Sequence, residues 1–458
     1  MARKCINGKT ERSCFKTMKI IVHRGTHEIG GSCVEIQSKK SRILIDIGMP
    51  LVKKGGDRFN FREHENTPGP ELVKEKVLPD IGGVYAWDTD KKMIDGVLIS
   101  HPHIDHYGFF GYLNKDICFY LGEAAKKIID LTVIFTPVRG SISNYHPIES
   151  GESFRCGDFK IMPYLMDHSA FDSYAFLVEA DGKRIIYSGD FREHGRKQKA
   201  FQWFLDHAPE DIDVLLLEGT VLDRGLNGKG AGEFKSETEI EDETVKLLEA
   251  GKNMTLLYFS AQNIDRLVSF YRASLRTGKI FVIDFYTANI LGCLKDCARI
   301  PYPSKNYSNI RVFFPYWLCR RITQQGREEL MYRYKNYKIT KKEISDRSGE
   351  IMMMVRPSML KDLGLIKNIE GAVFIYSLWE GYLPDDAMQK MMRFIKKKNI
   401  KFYQVHTSGH AEIGTLKKVV KKLKPGRIVP IHTFHPDKYG DLFNRKIEQV
   451  SDGEVFVV

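Results

Sequence analysis

Three histidines and an aspartate crowd one short stretch of the chain, VLISHPHIDHYGFF: His101, His103, Asp105 and His106. Imidazoles and a carboxylate are costly to bury as neutral core. At this spacing they cannot share one face of a strand or helix, so a loop at the end of the apolar run before them must turn them around something. Neutral imidazole and carboxylate oxygen are ligands for borderline divalent ions such as zinc. The stretch offers His101 and His103 to one ion and Asp105 and His106 to another. A solvated histidine-rich loop is the bland alternative, and HxHxDH directly after a strand outweighs it.

Two more strand ends carry matching chemistry. His168 follows the run DFKIMPYLM, and Asp190 follows KRIIYSG. A carboxylate can bridge two cations, so the expected set is His101, His103 and His168 on one ion and Asp105 and His106 on the other, with Asp190 between them. The ligand still missing is expected to be His432, at the end of the apolar strand RIVPI; the competitor, His435, precedes Pro436 in what should be an exposed turn.

The elements that must hold these residues read as two styles. From about residue 18 to 220 short β-branched runs end in polar turns: KIIVH, SCVEI, RILIDIG, DGVLIS, DFKIMPY, YAFLVEA, KRIIYSGD and DVLLLEG, with helices such as Glu123 to Leu131 between them. From about 235 to 398 the rhythm changes to helix, strand, helix: a helix opened by Ser236, buried strands TLLYFS and KIFVIDF, and a helix with Met388, Met391, Met392 and Ile395 on one face. After 400 the first style returns in KFYQVHTS and RIVPIH, around a helix with Leu416, Val419, Val420 and Leu423 inward. The expectation is an α/β chain in which residues 223–399 are inserted between a first part, 17–222, and a completing part, 400–458.

At 458 residues with 43% hydrophobic content the chain can bury a large core. It has neither a long uncharged apolar run nor an apolar leader, which predicts a cytoplasmic protein with no membrane partner. The eight scattered cysteines read as reduced; Cys293 and Cys297, one helical turn apart, read as buried helix-face thiols rather than a metal pair. A formal net charge of +12 points weakly to a polyanionic partner. Arg320 and Arg321, Lys396 to Lys398 and the Lys417, Lys418, Lys421, Lys422 face could track phosphates, and the rings of RVFFPYW and MYRYKNY could stack bases, though solvated faces and packing are the ordinary explanations.

These motifs together resemble the metallo-β-lactamase superfamily, and within it the β-CASP branch of nucleic-acid-processing nucleases. Asp46 in RILIDIG resembles the strand-end aspartate, Glu218 in LLLEGT the acidic residue and His410 in HTSGHA the loop histidine of that branch. THEIGGSCVEI, VLPDIGGVYAWDTDKKMIDGVLISHPHIDH, YLMDHSAFDSYAF, FSAQNIDR and HTSGHA are similar to segments of the RNase J-type ribonucleases. Such enzymes usually carry a further C-terminal domain, and Thr433 stands after the last histidine where they usually have glycine.

The resemblance implies a metallo-β-lactamase αββα sandwich with an inserted α/β β-CASP domain. It implies two Zn2+, or Mn2+, in a metal-dependent ribonuclease that hydrolyses RNA phosphodiester bonds by a two-metal mechanism, 5′ to 3′ from an end, internally, or both. His410 would protonate the leaving 3′ oxygen, Glu218 would orient and charge it, and Asp105 would serve catalysis as well as ligation; Asp46 would hold a ligand in place rather than sit on a metal. A 5′-monophosphate pocket would draw on Ser408, His406 and, from the inserted domain, Ser260. The implied partner is single-stranded RNA, with DNA the alternative, and any self-assembly a dimer. Competing readings are a DNA nuclease, which would usually lack His410, a small-molecule metallo-hydrolase, which the basic charge and the insertion disfavour, and a non-catalytic scaffold, which would have lost metal ligands.

Overall fold

The short apolar runs of the first style of segment form two mixed seven-stranded sheets packed face to face, most of their strands buried on both sides. The computed structural model describes residues 18–53, 58–89, 94–222 and 236–458; the N-terminal tail up to Lys16 and the linker 223–235 lie outside them. In the first sheet the order runs Val455–Val457, Lys19–Arg24, Cys33–Gln37, Arg42–Ile45, Gly96–Leu98, Phe119–Leu121, Tyr145–Pro147. In the second it runs Lys446–Ile447, Arg427–Ile431, Val214–Glu218, Lys183–Tyr187, Tyr174–Ala180, Phe159–Leu165, Phe154–Cys156. One core joins them, with Ile20, Ile36, Ile43 and Leu98 meeting Ile161, Phe176, Val214 and Val429.

Each outer face has a core of its own. On the first sheet Leu44, Val97 and Phe119 pack under Tyr107, Phe109 and Ile129. On the second, Leu177, Ile186 and Leu215 are covered by Phe201 and Phe204 of the helix Gln198–His207 and by Leu416, Val419, Val420 and Leu423 of the helix Ile413–Leu423. The result is four layers, helices outside and two sheets inside, as expected.

A third, six-stranded sheet is wholly parallel, in the order Ile310–Phe313, Ile280–Asp284, Ile351–Met354, Thr255–Tyr258, Val373–Tyr376, Lys401–Gln404. Helices cover both faces, which accounts for the unbroken apolar runs in its strands. Met388, Met391 and Ile395 are buried against it as core. The expected boundary at 399/400 needs correction: Lys401–Gln404 pairs with Val373–Tyr376, and Phe402 stacks on Phe374 and Tyr376, so KFYQ belongs to the inserted sheet. The helix Glu123–Phe135 of the flanking unit contributes Ala124, Ile128 and Phe135 to the inserted unit's core, which fixes the two units together.

The six cysteines among the described residues are all free thiols, and Cys297 is exposed rather than buried, because the helix carrying Cys293 ends at Leu294. No helix among the described residues is long and apolar enough to cross a membrane.

Candidate metal centre

Parallel strands deliver their C-terminal ends to the same edge of a sheet, and ligand sites collect there. Lys183–Tyr187, Val214–Glu218 and Arg427–Ile431 are parallel neighbours, so Asp190, Glu218 and His432 emerge side by side. In the first sheet Arg42–Ile45 and Gly96–Leu98 are also parallel neighbours, and they end at Asp46 and at the loop bearing His101 to His106. Both sheets therefore open onto one end of the sandwich.

Three overlapping clusters form there: His101, His103 and His168; Asp105, His106, Asp190 and His432; and Asp190, Glu218, His410 and His432, the ligand atoms of each lying within 4.8 Å of one another. Asp190 spans them. Its Oδ2 is 3.8 Å from His101 Nε2 and 3.2 Å from His106 Nε2, while Oδ1 is 3.7 Å from His432 Nδ1. Asp105 Oδ2 lies 3.3 Å from His432 Nε2. His435, the rejected competitor, begins a short helical turn, with Nδ1 4.0 Å from Asp437.

Imidazole rings are aimed by what their other nitrogen touches. Asp46 Oδ2 takes His106 Nδ1 at 2.7 Å and the Tyr187 hydroxyl at 2.7 Å, while Oδ1 accepts from the Ser100 amide at 2.7 Å. His168 Nδ1 donates to the Gly409 carbonyl at 2.7 Å, and His432 Nδ1 meets the Thr220 hydroxyl at 2.8 Å. Asp46 and His432 both adopt left-handed backbone, φ 63° and 50°, a strain that non-glycine residues accept where the surroundings dictate it. Gly48 has no alternative, since a Cβ there would fall 1.7 Å from the Asp105 carbonyl oxygen.

The residues fit a divalent cation. His101 Nε2 and His106 Nε2 are buried with no hydrogen-bond partner among the described residues, an arrangement that costs free energy unless something else satisfies the lone pair. Burial holds His101 and His168 well below the usual imidazole range and His103 at about 4, so all three are neutral and able to ligate. Burial disfavours the charged form of Asp105, but His432, His106 and His103 outweigh it and bring its carboxyl to about 2. Asp190 is likewise ionised, held down by His432, His106 and His410 against burial.

His410 is built differently. Its Nδ1 is 3.1 Å from Glu218 Oε2 and 3.6 Å from Asp190 Oδ2, and these carboxylates raise its pKa despite burial. Glu218 is fixed by the Phe191 amide at 2.9 Å and the Thr220 hydroxyl at 2.8 Å. Ser408 Oγ accepts from the His410 amide at 3.1 Å and so shapes the turn; its carbonyl takes Arg192 and His194, each at 2.9 Å. His406 Nδ1 stands 3.3 Å from Arg266 Nη1, and Ser260 Oγ accepts from the Gln262 amide at 3.3 Å.

Sequence reasoning missed the network behind that loop. Arg192 and Arg266 are wholly buried, although arginine is almost never so unless paired. Arg192 binds Asp265 at 2.6 Å and Glu237 at 3.2 Å; Arg266 binds Glu237 at 3.0 Å and donates to the Thr407 carbonyl at 3.1 Å. Lys197 adds a 2.7 Å pair to Asp265. Glu237 and Asp265 belong to helices of the inserted unit, Glu237–Ala250 and Ile264–Arg276, so this network ties the insertion to the loop that presents His410. The available signals were Arg192 two residues after Asp190 and a carboxylate in each helix's first turn, none of which stands out without coordinates.

The expected phosphate-tracking cations are only partly free of acids: Lys398 pairs with Glu370, Lys418 with Glu193 and Lys422 with Glu210.

Comparison with known proteins agrees with this geometry. The family described as "Metallo-beta-lactamase superfamily" matches residues 28–117, and the "Beta-lactamase superfamily domain" matches residues 83–254. Ribonuclease J of Helicobacter pylori is 24% identical over 91% of this chain, and the chain spans 56% of that relative's length. An RNase J-like protein of Methanocaldococcus jannaschii is 23% identical, with 90% of this chain and 91% of that one covered. A crystal structure of a protein of unknown function from Enterococcus faecalis superposes with a TM-score of 0.76 at 19% identity, covering 96% of this chain and all of that one, which bears on the fold alone. In its motifs, its matched domains and its relatives, the chain is similar to the metallo-β-lactamase superfamily and, over most of its length, to RNase J-type proteins.

Proposed function

We propose that this protein is a metal-dependent ribonuclease using two divalent ions, zinc or manganese. The observation that carries the reading is the pair of buried nitrogens, His101 Nε2 and His106 Nε2, that make no hydrogen bond while facing the Asp190 carboxylate, beside a histidine of another kind that Glu218 engages. His101, His103 and His168 would hold one ion and Asp105, His106 and His432 the other, with Asp190 shared. Bound there, divalent ions supply a water of lowered pKa and neutralise charge on the phosphoryl oxygens.

The chain's own groups do the rest. Asp46, Thr220 and the Gly409 carbonyl fix the rings of His106, His432 and His168. His410, with Nδ1 taken by Glu218, carries at Nε2 the proton that the leaving oxygen needs, and its two carboxylate neighbours favour the charged form. RNA as substrate is supported by the names of the relatives and by the net charge of +12. Ser408, His406 and Ser260 as a terminal-phosphate pocket belong to the same proposal.

The test is to incubate the protein with labelled single-stranded RNA and DNA of one sequence, each with 5′-monophosphate, triphosphate or hydroxyl, and to size the products. RNA should be cut and DNA spared, with mononucleotides released from the monophosphorylated strand. Intact RNA, or equal cutting of DNA, contradicts the reading. Internal fragments formed at equal rates from all three ends would remove the pocket and leave an endonuclease.

A further inference from the structure

The helix Tyr316–Gln324 of the inserted unit has a face that the metal centre does not use. At about 100° per residue, Tyr316, Arg320, Trp317 and Arg321 fall within an arc of roughly 140°. Leu318, Cys319 and Ile322 turn the other way, into the core. Tyr316 and Trp317 are 53% and 42% exposed, their rings edge to face at 5.2 Å. Arg320 and Lys361 stand over the Trp317 ring, 5.4 and 5.0 Å from its centre. At the far end of the same face, Arg321 lines an open cleft of about 620 Å3 whose other wall, from the flanking unit, includes Arg62, Glu65, Thr136 and Arg139.

The charges there are not balanced. Arg139 pairs with Glu65 at 3.1 Å, but Arg321 only donates to the Thr136 carbonyl at 2.9 Å. The side chains of Arg62, Arg320 and Lys361 make no hydrogen bond or ion pair among the described residues. Burial and the nearby Arg62 push the Arg321 pKa down more than Glu65 raises it, and three arginines face the one glutamate across the cleft.

We propose that this cleft and helix face form a binding track for single-stranded RNA outside the metal centre, the cleft taking phosphates on Arg62 and Arg321 and the Tyr316–Trp317 pair stacking bases. Uncompensated cations beside exposed rings match a polymer that alternates phosphate with an aromatic base better than they match an apolar protein surface. The track rests on the ribonuclease reading and extends it: it would hold the part of a long strand that lies beyond the cleavage site.

The test uses the whole chain in chelator, with a fluorescent unstructured oligoribonucleotide long enough to reach both places and a pentanucleotide of the same composition, followed by anisotropy across salt concentrations. Wild-type protein should bind the long strand more tightly. Trp317→Ala should lose roughly five- to 150-fold of that affinity, the worth of one stacked base. The double variant Arg62→Ala, Arg321→Ala should flatten the log–log salt slope by about 1.4, since each phosphate contact on a single strand contributes ~0.7. Unchanged affinity and slope in both variants, with wild-type melting, overturns the track and leaves a protein-docking or solvated face. Wild-type protein that does not bind RNA in chelator and does not cut it once divalent metal is restored overturns the ribonuclease reading, and the track with it.

Discussion

Asp190 has a carboxylate oxygen within 4 Å of His101, His106, His410 and His432. Asp190→Ala should therefore abolish metal content together with hydrolysis, as should His103→Ala, and elemental analysis of the purified variants decides it; retained metal in both would dismantle the assigned ligand set. His410→Ala should behave otherwise. It keeps its metal and its affinity for RNA while turnover drops by ~10²–10⁴, the usual contribution of a general acid. Wild-type turnover in that variant would return His410 to a structural role. The clustering of these histidines and aspartates was legible because such residues at the ends of apolar strands have few other reasons to be there. Arg192, Arg266 and Glu237 were not, since nothing in a sequence separates a buried charge with partners far along the chain from an ordinary surface one.

At the scale of elements, the insertion is held to the loop that presents His410 by charges out of contact with water. Removing Arg192 leaves Asp265 with Lys197 alone and Glu237 with Arg266 alone, both still buried, so Arg192→Leu should destabilise the fold by up to ~3–5 kcal/mol, read by chemical denaturation. A loss too small to measure would mean that Asp265 and Glu237 find other partners. Glu35, on the strand Cys33–Gln37, makes a prediction about acid. Burial opposes its ionisation, but hydrogen bonds from His23, Arg42 and Gln37 bring its carboxyl to about 2. A depressed carboxyl stabilises the fold above its unfolded value and loses that contribution as pH falls through the folded one. The stability advantage of wild type over Glu35→Gln, taken from melting curves, should be full near neutrality and fade between about 4.5 and about 2. An advantage independent of pH would contradict it. Strands such as Tyr174–Ala180 were readable as continuous apolar runs closed by a polar turn; Phe119–Leu121, Tyr145–Pro147 and Phe154–Cys156 were not, because three residues give no pattern and only their neighbours in the sheet make them strands.

For the molecule as a whole, the change of sequence rhythm after residue 235 marked a second unit, and its parallel sheet with helices on both faces is what continuous apolar strands require. The far boundary was harder: KFYQ has the look of a half-exposed strand in either unit, and only its pairing with Val373–Tyr376 assigns it. A chain of net charge +12 that grips phosphates should bind RNA less tightly as salt rises, with log affinity falling linearly in log salt; salt-independent binding would favour a small-molecule hydrolase of the same fold. The central claim, that the His/Asp clusters make this protein a metal-dependent ribonuclease, meets its most direct test in metal add-back. Protein stripped by chelator should leave single-stranded RNA intact and recover hydrolysis as zinc or manganese is titrated in, reaching a plateau near two equivalents per chain. Undiminished cutting by the stripped protein, or two bound equivalents with the RNA still intact, would contradict it.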